Sequence, residues 1–240
     1  MSRATGAGET TDGMPAGYLL RPMTPFDLPE VLELEQQLFP LEAWPLEFYL
    51  EELAQAGPAG GMDVQGRPAT RDYRVVVREG SGGAEADAGR DGEIVGYGGL
   101  MVAGDLADVQ TIGVVPGARG LGLGGAQLRW MIAEARGRGA EALLLEVRAD
   151  NVGAQALYTR HGFEHIHTRR GYYPGEPDAA GRVRPVDALI MRLPLTEPDH
   201  DSANWGSARR VAPSSAHVIR GGGEAVDKPS RPSSGWATLG

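Results

Sequence analysis

The chain contains no cysteine. Disulfide bonds, thiolate-bound zinc and a cysteine nucleophile are therefore excluded from any account of it. Long apolar runs are missing as well. None reaches the about 18 residues that a membrane-spanning helix needs. The opening stretch, MSRATGAGETTDGMPAG, lacks an apolar core of signal-peptide length. These absences predict a cytoplasmic protein with no membrane partner. Positive charge is also scarce. Lysine occurs once, at Lys228, and the formal net charge is −9. That balance argues against a nucleic-acid partner and is compatible with a basic protein substrate.

What is present is unevenly spread along 240 residues. Residues 1–17 are small, polar and glycine-rich and read as a disordered segment. Residues 196–240 are rich in Gly, Ser and Pro, with Trp205 and Trp236 as their large apolar groups, and read as a low-complexity, disordered tail. The stretch 78–93 (REGSGGAEADAGRDGE) separates two strand-like runs and reads as a long hairpin loop. The folded domain is then 18–195. Its pattern is a strand at YLLRPM and a helix after Thr24 and Pro25, with Thr24 as N-cap and Pro25 at the first helical position. A second helix follows over 45–54, then strands at 73–77, 93–102 and 108–115. A helix opens after the glycines at 119–125. ALLLEV (142–147) is a continuous apolar run, as expected of a parallel strand covered on both faces. A helix over 152–161 and strands at 164–170 and 186–193 complete a mixed α/β sandwich.

Between the strand VQTIGVV (109–115) and the helix AQLRWMIAEAR (126–136) stands RGLGLGG (119–125). A strand, a glycine turn and a helix form an arrangement that cradles phosphate on backbone N–H groups. Three readings compete. Gly120, Gly122 and Gly125 fit G-x-G-x-x-G, and Glu146 falls where a dinucleotide fold keeps its ribose-binding acid. Alternatively, Arg119-x-x-Gly122-x-Gly124 forms a different phosphate loop. The third reading is a plain flexible turn. Against the first, PGAR (116–119) intervenes between strand and glycines, and too little chain follows for a second half of a dinucleotide domain.

The neighbouring segments favour the second reading. TIGVVP (111–116), RGLGLG (119–124), ALLLEVRADNVGAQALYTRHGF (142–163) and RRGYYPGEPDAAGRVRPVDALIMRLPL (169–195) together resemble the GCN5-related N-acetyltransferases. L-E-V-R and R-R-x-Y-Y-P, with FPLEAWP (39–45), are most similar to the RimI-type ribosomal-protein-alanine N-acetyltransferases. The resemblance covers residues 18–195. It implies a mixed, mostly antiparallel central sheet of six or seven strands flanked by about four helices and splayed at the acetyl-CoA site. It also implies direct acetyl transfer in a ternary complex, a ribosomal-protein N-terminus as acceptor, no metal and a monomer.

Residue by residue, the resemblance makes Glu146 the general base and Tyr158 the general acid. A carboxylate interrupting an apolar strand is costly unless it is paired or in use, so Glu146 is either catalytic or held by Arg148 or another arginine. Tyr158 is either the acid or a core aromatic. For the cofactor, the loop Arg119, Gly120, Leu121, Gly122, Leu123, Gly124 and Gly125 would wrap the pyrophosphate. Ile112, Gly113 and Val114 would offer strand N–H and C=O groups to the pantetheine arm, and one such N–H would polarise the thioester carbonyl. Asn151 would cap the next helix and touch the cofactor. Trp44, Tyr172 and Tyr173 are the candidates for the acceptor groove, with strand packing as the other use of the two tyrosines. His161, His165 and His167 read as helix-end and strand-surface residues. The alternatives are acetylation of a small amine or internal lysine, and a non-catalytic coenzyme A or dinucleotide-binding protein.

Overall fold

The computed structural model describes residues 13–80, 92–175, 181–196 and 236–238. β1 (Tyr18–Pro22) leads through a 3-10 turn into α1 (Leu28–Leu38) and α2 (Leu46–Leu53). The turn Pro25–Asp27 sits where the helix was expected to begin, and the Asp27 carboxylate accepts from both the backbone N–H and the hydroxyl of Thr24. β2 (Arg71–Arg78), β3 (Glu93–Ala103) and β4 (Leu106–Val114) follow as an antiparallel meander. After α3 (Leu123–Gly137) come β5 (Ala142–Arg148), α4 (Val152–Arg160), β6 (Glu164–Tyr173) and β7 (Val186–Pro194). The expected order of elements over 18–195 is thus the observed one.

The strands lie in the order β1-β2-β3-β4-β5-β7-β6. Every neighbouring pair is antiparallel except β4 with β5. That parallel pair is short, with Leu106–Asp108 matched to Ala142–Leu144. Against β3, Thr111 faces Gly99 and Val109 faces Leu100, so Gln110 is an extra residue in β4. Such a bulge bends its strand and increases its twist. Beyond it β4 leaves β5, and the sheet opens between them.

A last strand, β8 (Trp236–Thr238), pairs in parallel with Thr111–Gly113 on β4. The expectation of a loose tail therefore fails at these three residues, because the opened sheet leaves β4 with a backbone edge that another strand can use. The rest of the tail, 197–235, lies outside the described residues, as do 81–91 and 176–180 within the two long loops and residues 1–12. The expected boundary at 17/18 also moves. Arg129 on α3 donates to the Gly13 carbonyl, and Met14 packs on the core. Residues 13–17 thus follow the folded part.

Two apolar clusters cover the two faces of the sheet. One gathers Leu143, Leu145 and Val147 of β5 with Leu128 and Met131 of α3 and Leu157 and Tyr158 of α4. The other joins Val31 and Leu34 of α1 and Tyr49 of α2 to Tyr73, Val75 and Tyr97 of the meander. The opening between β4 and β5 therefore lies between these two packed layers.

Candidate active site

The glycine turn delivers the start of α3 to one side of this opening. Gly120 and Gly122 have φ of 76° and 85°, in the left-handed region that side chains disfavour. Space around them is open. A Cβ on Gly120 would meet nothing within 4 Å, and one on Gly122 only the Pro15 ring at 3.9 Å. Gly122 is the N-cap of α3, and its carbonyl accepts from Ala126. The first N–H groups of the helix have no partner within it. They face a cleft of about 210 Å³ lined by Val114, Ala118, Arg119, Gly120, Gly122–Gly125, Gly153, Leu157 and Arg160. A loop without side chains, a helix start and two arginines make a cradle suited to a pyrophosphate.

Of the expected cofactor residues, Leu121 is exposed and stands outside this lining. Arg119 has a second task, since its Nε donates to the Val114 carbonyl at 3.2 Å. Gln127 of α3 donates to the Gly113 carbonyl at 3.3 Å. The two carbonyls that end β4 are thus held from the α3 side. Ile112 and Gly113 lie on the strand edge that β8 pairs with. Asn151 caps α4, its side-chain oxygen accepting from the Ala154 N–H at 3.0 Å.

Glu146 and Tyr158 lie on opposite faces of the sheet. Leu143, Leu145 and Val147 face α3 and α4. Alternation along β5 sends Glu146 and Arg148 to the opposite face. Tyr158 is fully buried against Phe163, with ring centroids 5.9 Å apart. Its hydroxyl has no hydrogen-bond partner among the described residues. Burial raises its pKa, so the phenol keeps its proton at neutral pH. A buried phenol held without a partner is a donor waiting for an acceptor.

The Glu146 carboxylate is ion-paired, at 2.6 Å, to Arg169 on β6. Ala188 stands between Arg148 and Arg169 in register, and its small side chain leaves Arg169 room to reach across β7. The partner is therefore Arg169 and not Arg148. Arg169 also lies over the Tyr172 ring, 5.4 Å from its centroid. Tyr172 and Tyr173 meet edge to face at 5.0 Å. Tyr173 is buried beneath Arg148, and Tyr172 is partly exposed at the rim. Trp44 is not on an open groove. It is 3 % exposed and packed against Phe48 and Tyr49, so its bulk anchors the loop that carries it.

Several contributors were not singled out from the sequence. Arg160 and Gly153 line the cleft, and Gln127 holds β4. Gln127 stands four residues before the buried Met131, a helical spacing that marks an inward-facing polar group. Glu35 is another. Fully buried on α1, its carboxylate accepts from the Trp44 N–H at 3.3 Å, from the Tyr49 hydroxyl at 2.9 Å and from the Tyr97 hydroxyl. Burial raises its pKa from 4.5 to about 6, against the lowering effect of those donors. The histidines serve locally. His161 Nδ1 lies 2.9 Å from the Leu157 carbonyl, and His165 Nε2 lies 2.9 Å from both the His167 carbonyl and the Thr168 hydroxyl.

A mostly antiparallel sheet that splits where β4 and β5 run parallel, with a glycine cradle at the split, is not a dinucleotide fold. The chain belongs to the acetyltransferase (GNAT) family, whose model matches residues 29–163. Members of this family use acetyl-CoA, and the chain is an acetyltransferase. It is similar to the N-alpha-acetyltransferase RimI of Mycobacterium tuberculosis, at 33% identity over 181 residues, which cover 73% of this chain and 92% of that protein. It is also similar to the [Ribosomal protein bS18]-alanine N-acetyltransferase of Escherichia coli K12, at 39% over 107 residues, 45% of this chain and 68% of that one. The crystal structure of the ribosomal-protein-S18-alanine N-acetyltransferase from Escherichia coli superposes with a TM-score of 0.56 at 27% identity, over 77% of this chain and 97% of that one. Arabidopsis thaliana NAA60 in complex with acetyl-CoA shares the fold, with a TM-score of 0.55 at 18% identity, over 73% and 97%.

Proposed function

We propose that the chain transfers the acetyl group of acetyl-CoA to the α-amino group of a protein N-terminus, with an N-terminal alanine of a ribosomal protein as the acceptor. The observation that supports this reading is that Glu146 and Tyr158 lie on opposite faces of the sheet beside β5. Glu146 is ion-paired to Arg169 on one face, and on the other the Tyr158 hydroxyl has no hydrogen-bond partner among the described residues. The relatives' names supply the acceptor class.

In this reading the phosphates rest on the 119–125 loop and the start of α3, with Arg119 and Arg160 beside them. The pantetheine arm pairs with Ile112–Val114, taking the edge on which β8 lies. A β4 N–H polarises the thioester carbonyl. Glu146 removes a proton from the acceptor ammonium, directly or through water. The amine nitrogen bonds to the acetyl carbon, the carbon–sulfur bond breaks, and Tyr158 gives its proton to the departing sulfur; the second proton that the nitrogen sheds in becoming an amide passes to solvent, and Tyr158 regains its own from there. No acyl-enzyme forms, which suits a chain without cysteine. Tyr172 at the rim would contact the acceptor.

The deciding experiment presents purified protein with acetyl-CoA and peptides that differ in the first residue, beside peptides blocked at the N-terminus but carrying lysine, and small amines. Mass spectrometry should place the acetyl group on the α-amine, with Ala-first peptides preferred. Modification of lysine or a small amine alone would refute the proposal in favour of the other acceptors.

A further inference from the structure

The second arginine of the acceptor face, Arg148, has no part in the transfer described above, yet its guanidinium makes four hydrogen bonds. Nε and Nη2 donate to the two oxygens of Asp150, at 3.0 and 2.9 Å. Nη1 donates to Glu42 at 2.9 Å and to the Pro174 carbonyl at 3.1 Å. Its plane lies over Tyr173, 5.4 Å from the ring centroid. Four segments thus meet on one side chain. They are the α1–α2 loop through Glu42, the β5–α4 turn through Asp150, the start of the β6–β7 loop through Pro174, and β6 through Tyr173. Only a planar fork with five donors satisfies such a set.

The energetics make Arg148 the group on which the others depend. The Glu42 side chain is 8% exposed. Burial raises its pKa, Arg148 opposes that rise, and Asp150 adds to it. Without the guanidinium two carboxylates would face each other in a half-buried setting, and they would separate. Glu42 belongs to the loop that Trp44 and Glu35 pin to the core from the other side. Freed from Arg148, that loop loses its hold on the acceptor side.

We propose that Arg148 is a positioning residue that holds the α1–α2 loop and the start of the β6–β7 loop, at Pro174, together beside the acceptor as a collar, and so sets acceptor affinity without touching the transfer itself. The proposal rests on the reading of this face as the acceptor side. Arg148 lies two residues from Glu146 on the same face of β5, so the collar encloses the amine end of the groove and leaves the phosphate cradle alone.

The test compares wild type with Arg148→Gln, Arg148→Lys and Glu42→Gln. Arg148→Gln should raise the KM for the acceptor peptide about tenfold or more, in line with the loss of a half-buried charge pair. The kcat at saturating peptide should stay within about threefold, and acetyl-CoA affinity should not change. Lysine can reach Glu42 but cannot fork to Asp150, so Arg148→Lys should fall between. Hydrogen exchange on the protein alone gives a readout independent of turnover. In Arg148→Gln, residues 39–45 and 171–175 should gain exchange together, and in Glu42→Gln only 39–45. An unchanged peptide KM, a fall in kcat at constant KM, a parallel loss of acetyl-CoA affinity, or exchange confined to one segment in Arg148→Gln would each overturn the proposal. Should no peptide be acetylated, the function proposed above fails while the exchange measurement still decides the collar. Should Arg148→Gln not fold, Arg148→Lys and Glu42→Gln carry the test.

Discussion

The two ends of the β4–β5 opening are made of different material. At the cradle the groups facing the cleft are largely backbone, a left-handed glycine turn and the first N–H groups of α3. At the acceptor end they are side chains tied to one another, Glu146 to Arg169 and Arg148 to Glu42, Asp150 and Pro174. A backbone site is insensitive to which side chains it carries but intolerant of any added Cβ that blocks it. A side-chain site is the reverse, because each partner left behind is a buried charge without its counterpart. On this contrast, the donor end would be constant across related chains and the acceptor end would be where preference changes.

The largest effect that would sharpen the contrast is expected at Glu146. A peptide α-amine has a pKa of about 7.7–8.0, so roughly a tenth of it is neutral at pH 7. Glu146→Gln should lower kcat by roughly 10²–10⁴ while acetyl-CoA still binds, and raising the pH should restore part of the rate. Tyr158→Phe should also slow turnover, but without that rescue, since the departing sulfur still lacks its proton donor. A Glu146→Gln protein with normal kcat would remove the general-base assignment. Next comes the cradle. Gly122→Val forces a branched residue into a left-handed conformation that costs about 1–3 kcal/mol and puts a Cβ over the cleft. Calorimetry should show acetyl-CoA affinity falling about tenfold or more, whereas Leu121→Ala, outside the lining, should leave it within about twofold. Equal effects from the two substitutions would break the distinction between backbone and side-chain recognition.

A smaller effect is expected beneath both ends, at Glu35. Its folded pKa of about 6 exceeds its ordinary 4.5, so the fold favours the protonated form. That stabilisation is complete below pH 4.5 and is lost as pH rises through 6. At about 1.36 kcal/mol per pH unit the loss is on the order of 2 kcal/mol. Glu35→Gln carries no charge at any pH. Denaturant titrations should therefore show wild type losing ground to Glu35→Gln between pH 4.5 and 6, with no further change above. A difference between the two that ignores pH would exclude titration of Glu35. The smallest effect is expected from removing residues 196–240. Freeing the β4 edge should tighten acetyl-CoA binding by roughly two- to tenfold with little change in melting temperature. Weaker binding after truncation would show that β8 supports the site.

The sequence was most legible where backbone periodicity decides the outcome. The element order followed from alternation, apolar runs and glycine stops, and Asn151 was recognisable as a cap from its residue type alone. The glycine turn was also legible, because a left-handed backbone favours glycine there. Pairings across strands were not. Glu146 interrupts an apolar strand and so announces a partner, but the choice of Arg169 over Arg148 depends on the β5-β7-β6 order and on the small Ala188 between them. Trp44 looked like a groove residue from FPLEAWP, yet its ring is packed in the core. A loop tryptophan reads alike whether it faces solvent or anchors the loop from beneath. The buried Glu35 carried no local signal, since its three donors come from a loop, from α2 and from β3.

The strand at Trp236–Thr238 has a consequence of a different kind. Because it belongs to the same chain, it reaches the β4 edge without a bimolecular encounter, at an effective concentration fixed by covalent connection and not by how much protein is present. Dilution cannot dislodge it. If acetyl-CoA takes the same edge, half-saturation is multiplied by one plus the equilibrium constant for the strand's own docking. The chain then carries its own competitive inhibitor in a one-to-one ratio, and the level of acetyl-CoA needed to start turnover is set by that constant.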